Sequence, residues 1–257
     1  MLFNGNEQGL VKSAARVLSL LEFFDEIKRE ANVAEVANRH QWPHSSTSVL
    51  MRSLVTLGYL HYNASSRTYI PSARVALLGD WLKVTPFLHG ELMQLLRHLN
   101  ESTGETIILA AQNGLHAQYM RVLQGTNVVR MHLHIGARRP MLNSGAGRML
   151  LTSMDDVSIR RLIRKHNALK EPPSPIDEEK VFRRLNEDRQ RGYALSMHQV
   201  TQYSGVIATL LPAVEGDRPL AIGIAALSQQ LVDRENHYAQ VLRDSINRFL
   251  SYTEDAP

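Results

Sequence analysis

Residues 42–70 read WPHSSTSVLMRSLVTLGYLHYNASSRTYI, and the polar side of this stretch decides the fold. Behind Pro43 come the hydroxyl residues Ser45, Ser46, Thr47 and Ser48, then an apolar pattern with one embedded cation, Arg52. At about 100° per residue, Leu50, Leu54 and Leu57 share an arc of about 60°. Ser45, Ser48, Val49, Arg52 and Thr56 lie within about 60° of Ser45, on the far side. A helix facing only water is better held by Glu and Lys. Small hydroxyls, one valine and one long cation instead suit close approach to a major groove. The hydroxyls can meet bases and phosphates, Val49 a thymine methyl, and Arg52 a guanine or phosphate. Read as an ordinary surface helix, the serines only cap and terminate it, and Ser45 fits an N-cap as well as a DNA contact.

The flanks extend this reading. Val17, Leu20, Leu21 and Phe24 recur at helical spacing behind Ser13, a candidate N-cap. A shorter helix spans Val33–His40 behind Asn32 and breaks at Gln41-Trp42-Pro43. The next runs from Ser45 to Leu57 and stops at Gly58, the residue type expected just past a helix end. Tyr59–Tyr62 and Arg67–Ile70 read as strands around Asn63-Ala64-Ser65-Ser66. Three helices and a small hairpin describe a winged helix-turn-helix, with Ser45, Ser46, Ser48, Val49 and Arg52 as DNA-binding candidates. Arg67, beside the turn, is placed for a phosphate or the minor groove; its alternative is a solvated turn residue. Tyr59, Tyr62 and Tyr69 read as packing groups rather than base-stacking ones. Residues 36–79 hold Arg39, Arg52, Arg67 and Arg74 but no acid, where an even spread of the chain's 25 acids would put about four. The patch is local, since residues 1–82 carry 8 Lys and Arg against 7 Asp and Glu.

The 257 residues are 44% hydrophobic and 21% charged, with no cysteine, enough for two cored domains and no thiolate chemistry. The start lacks the pattern of a signal peptide, and no apolar run is long enough to span a bilayer, so a soluble, cytoplasmic protein with no membrane association is expected. Between Trp81 and Gly104 one helix, begun near Pro86 and striped by Leu88, Leu92, Leu95, Leu96 and Leu99, serves as a linker, a dimerisation helix or the first helix of the next domain. Beyond it strands are expected over Thr106–Ala111, Ala117–Val122 and Val128–Ile135, the first two joined at Asn113-Gly114. Helices follow over Gly145–Thr152, onward to His166 after a break at residues 153–156, and over Asp177–Arg191 beyond the loop Pro172–Pro175. Strands Tyr193–Met197, Val206–Val214 and Leu220–Ala226 and a helix Arg234–Tyr252 complete an α+β domain with a mainly antiparallel sheet.

The segments VKSAARVLSLLEFF, WPHSSTSVLMRSLVTLGYL, RTYIPSARVALLG, TGETIILAA, YMRV, GRMLL, RGYAL and GVIATLLP, in that order over nearly the whole chain, resemble the isocitrate-lyase-regulator (IclR) type of bacterial transcription factor. The resemblance implies a winged helix-turn-helix domain over residues 1–82, a linker helix over 83–102 and a GAF-like effector-binding and oligomerisation domain over 103–257. It implies a homodimer or homotetramer on double-stranded DNA carrying an inverted-repeat operator, controlled by a small organic or aromatic acid. It also places effector-binding positions at Leu142, Ser144, Met149, His198, Ala208, Gly223 and Ala225. The chain departs from the family pattern there. Leu142 stands for a common His and Ser144 for a Thr; Ile207-Ala208 replaces an Arg-Cys or Arg-Ser pair. His198 falls at a position that is acidic in some relatives, and Gly223 and Ala225 lie where serines often alternate. Losing hydroxyl and thiol partners disfavours a polar acid. Three readings stay open: a more apolar or aromatic ligand, donors supplied by His198, His132 and His134, or no effector.

Catalysis has little support. His132-x-His134 would put two imidazoles on one strand face, but no Cys, His-Glu-x-x-His or Asp-rich loop adds further metal ligands. Ser144-Gly-Ala-Gly147 lacks the Gly-Lys-Ser/Thr ending of a phosphate loop and reads as an N-cap with close backbone packing. Asp155 and Asp156 read as helix-start residues. The expectation is a regulator with no catalytic residue, metal or cofactor. The alternatives are an effector-free DNA-binding oligomer, or a small-molecule enzyme or metal protein on a GAF-like domain.

Overall fold

The computed structural model describes residues 11–78, 90–169, 175–198, 202–213 and 218–250. The expected helix over 83–102 and the loop Pro172–Pro175 lie partly outside these residues. The chain divides into two compact units, Met1–Lys83 and Val84–Pro257.

In the first unit, α1 (Lys12–Ile27), α2 (Val33–His40), α3 (His44–Thr56), β1 (Leu60–Asn63), β2 (Thr68–Pro71) and α4 (Ala73–Leu77) enclose Leu20, Phe24, Val36, Met51, Leu54 and Leu60. Asn32 caps α2 as expected, accepting the Glu35 N–H at 3.0 Å. Ser13 does not cap α1. The Ala15 N–H already bonds to the Val11 carbonyl, so the helix begins before Ser13. Leu57 is not part of the buried stripe of α3. The helix ends at Thr56, and Leu57, its C-cap, is 58% exposed, while Thr47, Met51 and Leu54 are buried. Both hairpin strands start one residue later than expected. The Tyr59 N–H bonds to the Leu54 carbonyl, and Gly58 turns the chain at φ +79°, which holds Tyr59 in the helix cap. Ser72, unnoticed in the sequence, caps α4 and donates to the Gly58 carbonyl at 2.6 Å, tying the helix end to the far side of the wing.

The second unit contains α5 (Glu91–Thr103), β3 (Thr106–Asn113), β4 (His116–Leu123), β5 (Arg138–Pro140), α6 (Gly145–Thr152), α7 (Asp156–Asn167), α8 (Glu178–Arg191), β6 (Ala194–Met197), β7 (Ser204–Leu210), β8 (Leu220–Leu227), α9 (Ser228–Asp233) and α10 (Glu235–Leu250). Its six strands pair antiparallel in the order β5-β4-β3-β8-β7-β6. The expected strand Val128–Ile135 does not form. Alternation is confined to its second half, where Leu133 is buried and Met131 half-buried between exposed Arg130, His132 and His134, while Val128 is 97% and Val129 60% exposed. Two of its carbonyls, however, are taken by side chains: Thr106 Oγ1 donates to Met131 O and Gln124 Nε2 to Leu133 O, both at 2.5 Å. The edge strand is Arg138–Pro140 instead.

The two sheet faces differ in bulk. Ile107, Leu109, Ile207, Ile222 and Ile224 pack against Leu92, Leu95 and Leu99 of α5 and Tyr238, Leu242 and Ile246 of α10. On the other face stand Ala110, Ala117, Ala194, Ala208, Ala221 and Ala225, under α6. Small side chains let that helix approach by its backbone. A Cβ added at Gly147 would come 2.4 Å from the Met141 carbonyl oxygen, and one at Gly145 2.8 Å from that of Val206. Ser144 caps α6 by accepting the Gly147 N–H at 3.1 Å. The Ser-Gly-Ala-Gly run is therefore a packing device.

One charged pair fastens α6 to α8. Arg148 grips Asp188 through Nε at 2.8 Å and a second nitrogen at 3.2 Å, and also donates to the Leu195 carbonyl at 2.9 Å. Burial pushes the Asp188 carboxyl upward, and the guanidinium offsets this only in part. Such a pair stabilises little against an apolar replacement, yet breaking it strands a buried charge. Arg148→Met should therefore cost about 3–5 kcal/mol, with Asp188→Leu added to it restoring most of the loss. Denaturant midpoints measure this; a single variant as stable as wild type contradicts it.

Candidate nucleic-acid interface and sensor cavity

The α2–α3 corner is set by aromatic stacking and one arginine from α1. Gln41 takes a left-handed conformation at φ 55°, and the Trp42 N–H returns to the Ala37 carbonyl. Trp42 then stacks on His40 at 4.3 Å, with the Arg16 guanidinium 4.4 Å above the Trp42 ring. Burial, then Arg39, lowers the His40 pKa, so the imidazole in this stack is neutral near pH 7. Arg16 also donates to Ser46 Oγ at 3.1 Å and Thr47 Oγ1 at 3.4 Å, steering the first turn of α3.

That contact sorts the hydroxyls. Ser46 is engaged by Arg16 and donates to the Pro43 carbonyl, and Thr47 is wholly buried. Ser53 and Thr56 bond back to carbonyls within α3. Ser45 and Ser48 keep their hydroxyls uncommitted beside Val49, which is 54% exposed, and Arg52, which forms no ion pair with a described residue. The four arginines of the acid-free stretch separate as well. Arg39 is neutralised by Glu26 at 2.9 Å, and Arg74 lies 4.9 Å over the Tyr59 ring. Arg67 sits exposed at the tip of the wing at φ 54°, behind an Asn63 side chain that accepts the Ser65 N–H. Glu30 does meet the wing, taking hydrogen bonds from Ser66 and Thr68. Tyr69 is buried, with its ring centroid 4.8 Å from that of Tyr62, whereas Tyr62 itself is 47% exposed.

In the second unit the seven expected effector positions do not form one site. Ser144 and Ala225 line a cavity of about 40 Å³ on the small-residue face, with Tyr119, Arg139, Ser196 and Ser204 around it and Met131, Leu133 and Val206 as its apolar walls. Leu142 lies on the other side of the α6 start, in a cleft of about 150 Å³ with Asn143, Lys180 and Arg184. Met149 is buried in the core, Ala208 pairs with Gly223 across β7 and β8, and a Cβ on Gly223 would come 2.9 Å from the Ile207 carbonyl. His198 is exposed at φ 59°, its Nδ1 accepting the Tyr203 N–H at 3.1 Å. His132 and His134 touch edge to face at 4.8 Å, exposed on an extended segment rather than a strand, and neither lines the cavity. Among the described residues no cluster of three or more metal-ligating side chains exists.

Apart from Ser144, the polar lining comes from residues that the sequence did not single out. Arg139 lies 5.2 Å over the Tyr119 ring; burial raises the Tyr119 hydroxyl and Arg139 counters it. Ser196 Oγ accepts the Gly145 N–H at 2.9 Å. The signal was partial: Ser196 interrupts an otherwise apolar strand, whereas Ser204 opens β7 ahead of the strand expected from Val206, and buried hydroxyls are uncommon without a partner to serve.

Comparison with known proteins agrees with this architecture. The helix-turn-helix model of the IclR family matches residues 13–64, and the C-terminal model of bacterial IclR transcriptional regulators matches residues 88–249. The Pca regulon regulatory protein of Pseudomonas putida is 26% identical over 245 residues, covering 93% of this chain and 79% of that protein. The transcriptional repressor IclR of Escherichia coli K12 is 26% identical over 194 residues, covering 72% and 69%. The crystal structure of the Thermotoga maritima IclR superposes with a TM-score of 0.63 at 17% identity, over 93% of this chain and 99% of that one, a likeness of fold. Among the described residues no helix is long and apolar enough to cross a membrane. With both models together spanning most of the sequence, the chain belongs to the IclR family of bacterial transcriptional regulators, DNA-binding proteins rather than enzymes.

Proposed function

We propose that this regulator reads an operator through Ser45, Ser48, Val49 and Arg52 of α3, with Arg67 of the wing on a phosphate or in the minor groove. We propose further that it answers to a small organic acid with a compact apolar or aromatic body. The DNA reading is carried by two cations, Arg52 and Arg67, that lie in a stretch of sequence without acids and form no ion pair with a described residue, although Glu30 hydrogen-bonds to the wing beside Arg67. Ser46, offered as a contact by its position, serves better as an internal brace for α3. A dimer on an inverted repeat is the assembly that fits this mode of reading, with half-sites one helical turn or a multiple apart.

The effector reading rests on the lining of the 40 Å³ cavity: one guanidinium, three serines and a tyrosine hydroxyl above Met131, Leu133 and Val206. A guanidinium replaces part of the hydration that a carboxylate loses on burial, while the Ser144 and Ser196 hydroxyls already donate to the Pro140 and Val206 carbonyls. Arg139 therefore takes the place proposed for the histidines, and an acid is favoured over a neutral apolar ligand. The alternative, an effector-free oligomer, draws support from the small volume.

Two measurements test these readings. In anisotropy titrations on the protein's own upstream DNA, Arg52→Ala should lose about 1–3 kcal/mol there and much less on random duplex if it reads a base. Equal losses on both would make it a phosphate contact. In thermal unfolding with panels of aromatic and aliphatic acids, a true ligand at about 100 times its Kd stabilises by about 2.7 kcal/mol. Arg139→Met should abolish that shift. No shift from any compound favours the effector-free oligomer.

A further inference from the structure

We propose that Glu105 and Asn127 are positioning residues of the sensor, anchoring the segment that roofs the cavity to helices α5 and α10 so that its displacement is felt at the end of α5. The inference rests on the reading of the 40 Å³ cavity as the ligand seat.

The roof is Gln124–Ala137, the run between β4 and β5. Its Met131 and Leu133 face the cavity. The other walls are stiff. Strands β7 and β8 are laddered along their lengths, and α6 is locked by the close contacts of Gly145 and Gly147. The roof's far end is pinned to β4, Gly136 and Ala137 bonding to the Tyr119 backbone, but among the described residues its Met131 and Leu133 carbonyls meet only the side chains of Thr106 and Gln124. A space of about 40 Å³ holds a few waters. An organic acid must therefore widen it, and the roof is the wall that gives.

The root of this segment is built around Gly104-Glu105-Thr106, where α5 passes into β3. The N–H groups of Thr126 and Asn127 donate to the Gly104 carbonyl at 2.9 and 3.1 Å, and that of Gly125 to Thr106 Oγ1 at 2.9 Å. Asn100, in the last turns of α5, donates to both the Glu105 and Gln124 carbonyls, at 2.8 and 2.9 Å. Glu105 is wholly buried, and its Oε1 accepts the Asn127 amide at 3.0 Å and the Tyr238 hydroxyl of α10 at 3.2 Å. Its Oε2 finds no partner among the described residues. Burial raises this carboxyl; Tyr238, Asn127 and the Arg234 guanidinium pull it back. A half-satisfied buried carboxyl is a poor choice for stability alone. Here it joins three elements, one of which moves when the cavity fills.

Amide hydrogen exchange on the full chain, without ligand, tests this for wild type, Glu105→Ala, Glu105→Gln and Asn127→Ala. The Ala variants should speed exchange at Thr126, Asn127 and Ala137, and at Gly104 closing α5, by about tenfold or more, leaving the β3, β7 and β8 ladders unchanged. Glu105→Gln keeps the Oε1 acceptor and should stay within about twofold of wild type. Uniform acceleration across the sheet would overturn the proposal, as would a loosened roof with Gly104 unaffected. If Glu105→Ala fails to fold, Asn127→Ala carries the same test. Because no ligand is used, a negative result is distinct from failure of the thermal-shift screen.

Discussion

The sensor unit depends on the contact of α6 with the small-residue face of the sheet. Alanines on the strands and Gly145 bring helix and sheet backbones together, Gly147 lets the helix start fold onto Met141 of the preceding turn, and dispersion forces reward that closeness only while no Cβ intervenes. The approach leaves room for polar side chains beside the helix start but not beneath it. Ser144, Ser196, Ser204 and Arg139 fill that margin, so the polar lining follows from the packing geometry. The opposite face, built from isoleucines and leucines under α5 and α10, is an apolar core.

Much of this was legible in the sequence. The helix-turn-helix follows from period, caps and a turn: Asn32 before α2, Gly58 after α3, and an outward arc of small groups around Arg52. The antiparallel sheet follows from short alternating runs and Asn113-Gly114. What failed had local causes. Ser13 yielded to a helix that began earlier, and Leu57 fell past a helix end that periodicity cannot see. Within Val128–Ile135 only residues 130–134 alternate, and alternation reports which side is buried and not whether a neighbouring strand exists.

The cavity lining was less legible. Family positions pointed to both sides of α6 and into the core, because a strand residue's environment depends on which helix covers its face. Arg139 and Tyr119 meet across an edge strand whose place depends on the unexpected path of 124–137. Ser46 shows the same limit in the first unit: Arg16 reaches it from α1, 30 residues away in sequence, a contact that local pattern does not carry.

If the DNA-reading face proposed on one unit and the ligand seat proposed in the other communicate, their coupling must be reciprocal. The direct test is to titrate an acid that stabilises the protein, measuring its Kd with and without saturating upstream DNA, and the DNA Kd with and without saturating acid. The account predicts that both affinities change by the same factor. Ligand affinity indifferent to DNA would contradict it, leaving a DNA-binding protein and a cavity that do not communicate.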